Sequence, residues 1–467
     1  MVQKDTSYRP IVLFCDSKFL LVCIYARMVG NVFSRVDLRL LNSKKILRIK
    51  WIDFLKNISL YLIEINGAKK EIIKLFAAIP VVATLFLFSS CGIIWTKFPA
   101  ASGHLPIARQ TYTWTDSSRT DVWNDSLTPQ RKLMVQVWYP AATTSHHYAP
   151  YFPGYKKLKK QLVKGEGLAI SAMHTQASEG VAVSTAKSTY PVILFSHGAN
   201  APTFYYTSLV EDLVSHGFIV AAIDHTYEGK GQSFPDGLVT QNDSEKKRPK
   251  SGTSDYEAQD AIFFKARVNV RVEDVSFVLD KLHSMNAGDP LLAGKMDMEH
   301  VGIFGHSIGG VTAAQATLRD KRIRAAINLD GLTYARPLYP DSAGNVLTQP
   351  FMFITKPFQR MTEKELAKGN KTHEQDEAEL KELLNRQEVL MRKVTGGSYR
   401  VTIPGATHTS FSDEPYLNPG KGKAKKHMTT TIRSFTLAFF NVTLNDQPNS
   451  LIGQTATGYS GVLMERF

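Results

Sequence analysis

The stretch Val301–Gly310 constrains the fold more than any other part of the chain. It reads Val-Gly-Ile-Phe-Gly-His-Ser-Ile-Gly-Gly, and residues 311–318 after it have the composition of a helix. An apolar run that enters G-x-S-x-G and leaves as a helix predicts a sharp strand-to-helix turn with Ser307 at its apex. Gly305 and Gly309 suit this turn, since side chains at these positions would collide across it. The alternative interpretation is a plain glycine-rich turn.

A serine at such an apex is placed to act as a nucleophile. The helix after it directs free N–H groups at the turn, where they stabilise negative charge. A serine hydroxyl is a weak nucleophile at neutral pH, so it needs a histidine base and a carboxylate that holds the base. The oxyanion that forms needs two N–H donors. We assign these donors to Ile308, the next residue, and to Ala199, in the loop Ser196-His-Gly-Ala that follows an earlier apolar run.

The base and the acid are predicted from their order along the chain. His408 follows a predicted strand and lies downstream of the serine, and the order serine, acid, histidine is typical of α/β-hydrolases. Asp330 ends the strand directly after the elbow helix, whereas the next strand is followed by no carboxylate before Glu363. Asp330 is therefore the preferred acid. Asp413 is the alternative acid, and a simple turn aspartate before Gly331 is the alternative role for Asp330.

Apolar runs predict the strands of a mostly parallel sheet. Runs that are apolar throughout are typical of strands covered on both faces, and the amphipathic segments between them predict helical crossovers. These runs are residues 190–195, 218–223, 301–304, 323–329, 349–354 and 398–403. Two alternating segments, 107–114 and 132–139, predict an antiparallel start to the sheet. The expected fold class is α/β, namely an α/β-hydrolase fold with helices on both faces of the sheet, plus an N-terminal transmembrane helix.

The predicted catalytic domain spans residues 107–443. Within it, the polar and glycine-rich residues 229–258 predict a mobile loop, and the charged residues 361–394 predict a helical, lid-like insertion. Residues 141–187 are polar and Lys-rich, which favours a surface excursion. Residues 444–467 form a polar C-terminal tail with no element predicted.

Positive charge and cysteine are concentrated before residue 99. The chain has a formal net charge of +14, and residues 1–98 hold 15 Lys/Arg against 6 Asp/Glu. The basicity therefore belongs mainly to the N-terminal segment and does not indicate a nucleic-acid-binding face. The three cysteines, Cys15, Cys23 and Cys91, also lie there. The catalytic domain consequently has no disulfide and no Cys–metal site, and we expect neither metal nor organic cofactor.

Residues 75–95 predict a membrane anchor. They contain no charged residue over 21 positions, which is the length of one membrane-spanning helix. Residues 1–74, a basic region of uncertain structure, precede them, and residues 96–106 follow as a linker. The positive-inside rule then leaves the N-terminus cytoplasmic and exports the catalytic domain. A buried core helix, a cleaved signal peptide and lipidation at Cys91 are the alternatives.

Four motifs in combination resemble the platelet-activating-factor acetylhydrolase family of the plasma and type II kind. They are Phe195-Ser-His-Gly, Ser215-His-Gly-Phe-Ile-Val-Ala-Ala-Ile-Asp-His225, Gly305-His-Ser-Ile-Gly-Gly310 and Leu329-Asp330. The resemblance covers about residues 105–440 and is nearer to bacterial members with an N-terminal membrane segment. It implies a calcium-independent serine esterase that removes short or oxidised acyl chains from phospholipids. It also implies the triad Ser307, Asp330 and His408.

Two other functions remain open from the sequence. A broad carboxylesterase or a cutinase-like polyester hydrolase would use the same scaffold and the same triad. A catalytically silent α/β-hydrolase fold used for binding is a rival of another class, and the intact triad argues against it. The expected partners are a lipid or small ester substrate and a membrane, without nucleic acid.

Overall fold

The structure is a computed structural model. It describes residues 98–467 except 125–129, 160–169, 171–172, 251, 253, 332–345, 359, 370, 418–421 and 453–457. Of residues 1–97 it describes only the backbone of four strands. The chain divides into two compact units, Met1–Trp95 and Thr96–Phe467.

The described part of the first unit is a four-stranded antiparallel sheet. Its strands β1–β4 are Pro10–Cys15, Leu20–Val29, Val32–Asn42 and Lys45–Ile49, and they pair in chain order. Residues 35–40, Arg-Val-Asp-Leu-Arg-Leu, show the period-two alternation of a half-buried strand. The segment 75–95, predicted to cross a membrane, lies outside the described residues. Within the described residues, no helix has the length and apolar character needed to cross a membrane.

The second unit is built on an eleven-stranded sheet. Its strands β5–β15 are, in chain order, Ile107–Asp116, Arg131–Pro140, Tyr148–Pro150, His174–Ser178, Tyr190–Ser196, Ile219–Asp224, Met296–His306, Ile323–Leu329, Phe351–Thr355, Ser398–Thr402 and Leu463–Arg466. In space they lie in the order β15-β14-β13-β12-β11-β9-β10-β6-β5-β8-β7. The six strands from β14 to β10 are parallel, and β5 and β6 are antiparallel. The predicted mostly parallel sheet is thus confirmed.

Helices cover both faces of this sheet. The α-helices are Tyr155–Leu158, Thr207–Ser215, Asp243–Lys246, Tyr256–Gly288, Ile308–Arg319, Glu363–Gly369, His373–Arg392, Glu414–Leu417 and Gly422–Leu444, and the 3₁₀ turns are Thr203–Tyr206 and His408–Phe411. Successive strand residues face opposite layers. Phe195 packs in the layer that contains the closing helix Gly422–Leu444, whereas Leu194 packs in the layer that contains the long helix Tyr256–Gly288.

Some polar segments are more structured than their composition suggests. Residues 141–187 contribute β7 and β8 at one edge of the sheet, and the tail 444–467 contributes β15 at the other edge. Edge strands of three to five residues carry too few apolar positions to show in the sequence pattern. In residues 229–258, Phe234 is buried, so the described part of this loop packs on the body of the unit. The mobility of this loop and the lid-like role of residues 361–394 stay predictions.

Strand β15 gives a test of this sheet edge. Met464 is 2% exposed and Leu463 is 52% exposed, so the two neighbours differ in burial. Met464→Ala should lower the free energy of unfolding of the full chain by about 2–5 kcal/mol, because it leaves a cavity in a buried layer. Leu463→Ala is the matched control and should change it by less than about 0.5 kcal/mol. Denaturant unfolding measures both values, and equal effects would contradict the pairing of the tail with β14.

Candidate active site

The predicted site residues lie in loops that follow the carboxyl ends of neighbouring central strands. In the strand register, Gly305 of β11 lies between Ser196 of β9 and Asn328 of β12. The loops that carry the predicted oxyanion donor, nucleophile and acid therefore start at the same level. Strand β14 ends nearby at Thr402, and the 3₁₀ turn that begins at His408 follows it.

The backbone at Ser307 adopts a strained turn. Its φ of 56° and ψ of −124° lie in a region that non-glycine residues rarely occupy. A Cβ atom at Gly305 would lie 2.1 Å from the Gly309 carbonyl oxygen, and one at Gly309 would lie 2.0 Å from the Ser196 carbonyl oxygen. The Ser307 N–H donates to the carbonyl of Leu329 over 2.9 Å. Glycine is therefore needed at both flanking positions for the turn to close against the sheet.

Asp330 and His408 form a close pair beside this turn. The Asp330 Oδ2 lies 2.6 Å from His408 Nδ1, with the carboxylate fully buried and the imidazole 33% exposed. The other oxygen, Oδ1, accepts a hydrogen bond from Thr355 Oγ1 over 2.7 Å. A Cβ atom at Gly331 would lie 2.4 Å from the Ser307 carbonyl oxygen, so the residue after the acid abuts the elbow. The carboxylate keeps the imidazole proton on Nδ1, so Nε2 is the unprotonated nitrogen that a base requires.

The alternative acid, Asp413, is used elsewhere. Its carboxylate accepts from the Ser208 N–H over 3.0 Å and from the Ser208 hydroxyl. Burial raises the pKa of Asp413 to about 7. The structure thus joins this carboxyl to the helix Thr207–Ser215, and it joins Asp330 to the histidine.

The backbone amides of the loop after β9 differ in their hydrogen-bond partners. The Gly198 N–H donates to Tyr206 Oη over 3.2 Å, and the Asn200 N–H donates to the carbonyl of Glu228 over 3.3 Å. In the part of the chain that the structure describes, the N–H of Ala199 donates to no protein acceptor, and neither does the first amide of the elbow helix. They are the two amides that the sequence predicts to bind the oxyanion.

Two further residues connect the elbow to the base. His306 Nδ1 lies 2.8 Å from Tyr206 Oη, and His306 Nε2 lies 2.9 Å from the carbonyl oxygen of His408. Because Nε2 faces a carbonyl it must carry the proton, and Tyr206 therefore donates to Nδ1. Burial, followed by the nearby His408, lowers the pKa of His306 to about 3, so the ring is neutral. No sequence signal marks this link, because it depends on a tertiary contact between distant segments.

The strand order, the helices on both faces and the elbow together assign the second unit to the α/β-hydrolase fold class. The model of the family described as platelet-activating factor acetylhydrolase, isoform II, matches residues 96–430. The chain belongs to this family. The match covers nearly all of the second unit, including the elbow, the Asp330–His408 pair and the loop after β9.

Individual relatives agree with the family assignment. The platelet-activating factor acetylhydrolase of dog is 29% identical over 243 residues, 48% of each chain. A probable 1-alkyl-2-acetylglycerophosphocholine esterase of the fungus Arthroderma benhamiae is 24% identical, over 54% of this chain and 64% of its own. The chain spans about half the length of the first of these curated relatives. Among solved structures, a ferulic acid esterase from Streptomyces cinnamoneus has a TM-score of 0.62 at 26% identity, covering 79% of this chain and 98% of that chain.

The two aspartates give a discriminating test of the acid. Asp330→Asn should lower kcat on an ester by roughly 10⁴-fold, because the amide no longer fixes the imidazole proton on Nδ1. Asp413→Asn is the matched control and should have little effect on kcat, since its partner is Ser208. Steady-state kinetics of both variants measures the difference. The reverse ranking would contradict the assignment of the acid.

Proposed function

We propose that the chain is a serine esterase that hydrolyses short-acyl esters of lipids. The observation that carries this proposal is the 2.6 Å Asp330–His408 pair beside the strained Ser307 turn. A buried carboxylate, a partly exposed imidazole and a serine at a strand-to-helix elbow are the parts that acyl transfer requires.

The proposed reaction runs in two acyl-transfer steps. His408 Nε2 takes the proton of the Ser307 hydroxyl as the serine oxygen attacks the ester carbonyl. The amides of Ile308 and Ala199 stabilise the tetrahedral oxyanion, and His408 then protonates the departing alcohol. The acyl group is now bound to Ser307. His408 next removes a proton from the water that attacks the acyl carbonyl, and it returns this proton to the Ser307 oxygen as the acid leaves. These steps require no metal or organic cofactor.

Acetyl esters of glycerophosphocholine are the first substrates we propose. The names of the dog and fungal relatives support this choice. A second candidate is an aromatic acyl ester, which the likeness to the ferulic acid esterase favours because it covers nearly all of that chain. The two candidates share the triad and differ in the acyl group that must fit beside Ser307.

Ser307→Ala tests the nucleophile. This variant should lose ester hydrolysis by at least about 10³-fold and should not react with a fluorophosphonate, because no hydroxyl remains to be acylated. Wild-type protein should be labelled and should cleave a short-acyl phospholipid with higher kcat/KM than a long-chain one. Normal turnover by the variant would refute the proposal. If wild-type protein prefers a feruloyl ester to both phospholipids, the aromatic acyl ester becomes the proposed substrate in place of the acetyl ester of glycerophosphocholine.

We also propose that residues 75–95 anchor the chain in a membrane with the catalytic domain outside the cytoplasm. The support is the uncharged length of this segment and the excess of Lys and Arg before it. The substrate class fits this location, since a lipid esterase held at a bilayer lies near its substrate.

Protease treatment of intact cells or spheroplasts tests this topology. The catalytic domain should be degraded by external protease, while a cytoplasmic control protein survives, and the full chain should sediment with membranes until detergent is added. Full-length chain that stays soluble and protected from the protease would contradict the anchor. A chain that sediments but is protected would keep the anchor and reverse the orientation.

A further inference from the structure

A second Ser–His–Asp array lies beneath the loop after β9. Ser196 Oγ lies 2.9 Å from His225 Nε2, and His225 Nδ1 lies 2.8 Å from Asp274 Oδ2. All three side chains are fully buried, and Arg131 pairs with Asp274 through two hydrogen bonds of 3.0 and 2.6 Å. An ester cannot reach a serine in this position. Ser196 is the last residue of β9, so the array adjoins the loop that carries Ala199.

The backbone of His225 sets the protonation of a neighbouring histidine, His197. The backbone N–H of His225 donates to His197 Nε2 over 3.1 Å, so this nitrogen is unprotonated. Burial, followed by the charge of Arg271, holds the pKa of His197 well below its usual value, so the ring carries one proton. That proton must lie on Nδ1. His197 Nδ1 in turn lies 2.7 Å from the carbonyl oxygen of Gly198 and donates to it.

This hydrogen bond determines which way one peptide group faces. In a planar trans peptide the C=O and N–H bonds point in opposite directions. Holding the Gly198 carbonyl on the His197 ring therefore turns the N–H of Ala199 away from that ring. Gly198 itself adjoins the nucleophile, because a Cβ atom added there would lie 3.5 Å from Ser307 Cβ. Arg271 Nη1 holds the preceding carbonyl, that of His197, over 2.5 Å.

We propose that His197 is a positioning residue that orients the Gly198–Ala199 peptide so that the Ala199 N–H faces the oxyanion. The inference rests on the proposed function, because it concerns the same acyl-transfer site. If the tie to His197 is lost, the peptide can turn over and present a carbonyl oxygen to the oxyanion, which repels it. A weaker tie remains, since the Ala201 N–H donates to the same carbonyl over 3.3 Å. Loss of the His197 ring should therefore weaken oxyanion binding by the Ala199 N–H without abolishing it.

Three substitutions at one position test this role. His197→Ala removes the donor. His197→Asn keeps a nitrogen donor attached to Cγ, where Nδ1 is attached in histidine, and can still bond to the Gly198 carbonyl. His197→Gln is the matched control for polarity, because its amide nitrogen lies one carbon further along the side chain. His300→Ala, at a histidine that bonds to Asp297 near the start of β11, is the control for loss of a histidine elsewhere.

Two measurements on the full chain separate positioning from general stability. One is kcat and KM on p-nitrophenyl acetate, and the other is the inhibition constant of an aryl trifluoromethyl ketone, which adds to serine and forms an oxyanion. His197→Ala and His197→Gln should lose on the order of 10²-fold in kcat at nearly constant KM, and the ketone should bind more weakly by a similar factor. His197→Asn should lose less than about tenfold, and His300→Ala should match wild type.

The outcomes distinguish this inference from the function on which it rests. Equal losses in the Asn and Gln variants, or a fall in kcat with unchanged binding of the ketone, would overturn the role of His197 while the esterase function stands. Normal kcat in every His197 variant would also overturn the role of His197 and leave the esterase function standing. If wild-type protein neither hydrolyses the ester nor binds the ketone, the proposed function fails and this inference fails with it. A thermal unfolding curve for each variant confirms that folded protein is compared.

Discussion

The close backbone packing at Ser307 is the constraint on which the rest of the site depends. A residue with these dihedral angles costs about 1–3 kcal/mol, and it persists only where the surrounding structure holds it in place. Here the Ser307 N–H is tied to β12 through Leu329, while Gly309 packs against the end of β9 and Gly305 against Gly309. The elbow at the end of β11 is therefore held by β9 and β12, whose following loops carry the predicted oxyanion donor Ala199 and the predicted acid Asp330.

Ser307, His408 and Asp330 are of the same three residue types as Ser196, His225 and Asp274, and the two groups differ in burial. The pair Asp330–His408 has a buried carboxylate and an imidazole that reaches solvent, so it can exchange protons with a bound substrate and water. In the other array the imidazole of His225 is fully buried, its pKa is lowered to about 4 by burial and then by Arg271, and it stays neutral. An isolated buried Asp274 would be unfavourable, and Arg131 offsets its charge. The first group is suited to proton transfer, whereas the second is a buried hydrogen-bonded network at the end of β9.

Much of the second unit could be predicted because its signals are local. The apolar runs that become β9 to β14 are covered on both faces, and the glycines around Ser307 follow from the geometry of one turn. The assignment of Asp330 needed only the order of elements along the chain. By contrast, β7, β8 and β15 lie at the edges of the sheet, where short strands carry little pattern. The links through Tyr206 and His197 needed three-dimensional structure, because each depends on the tautomer of a ring fixed by residues distant in the chain.

The proposed mechanism requires that an acyl group be bound to Ser307 during turnover. Rapid mixing of the full chain with p-nitrophenyl acetate, acid quenching and peptide mass spectrometry would locate the covalent intermediate. A transient acetyl adduct is expected on the peptide that contains Ser307. An adduct on any other residue would contradict this role of Ser307. Rapid turnover without an acyl-enzyme, in protein that retains Asp330 and His408, would also contradict it.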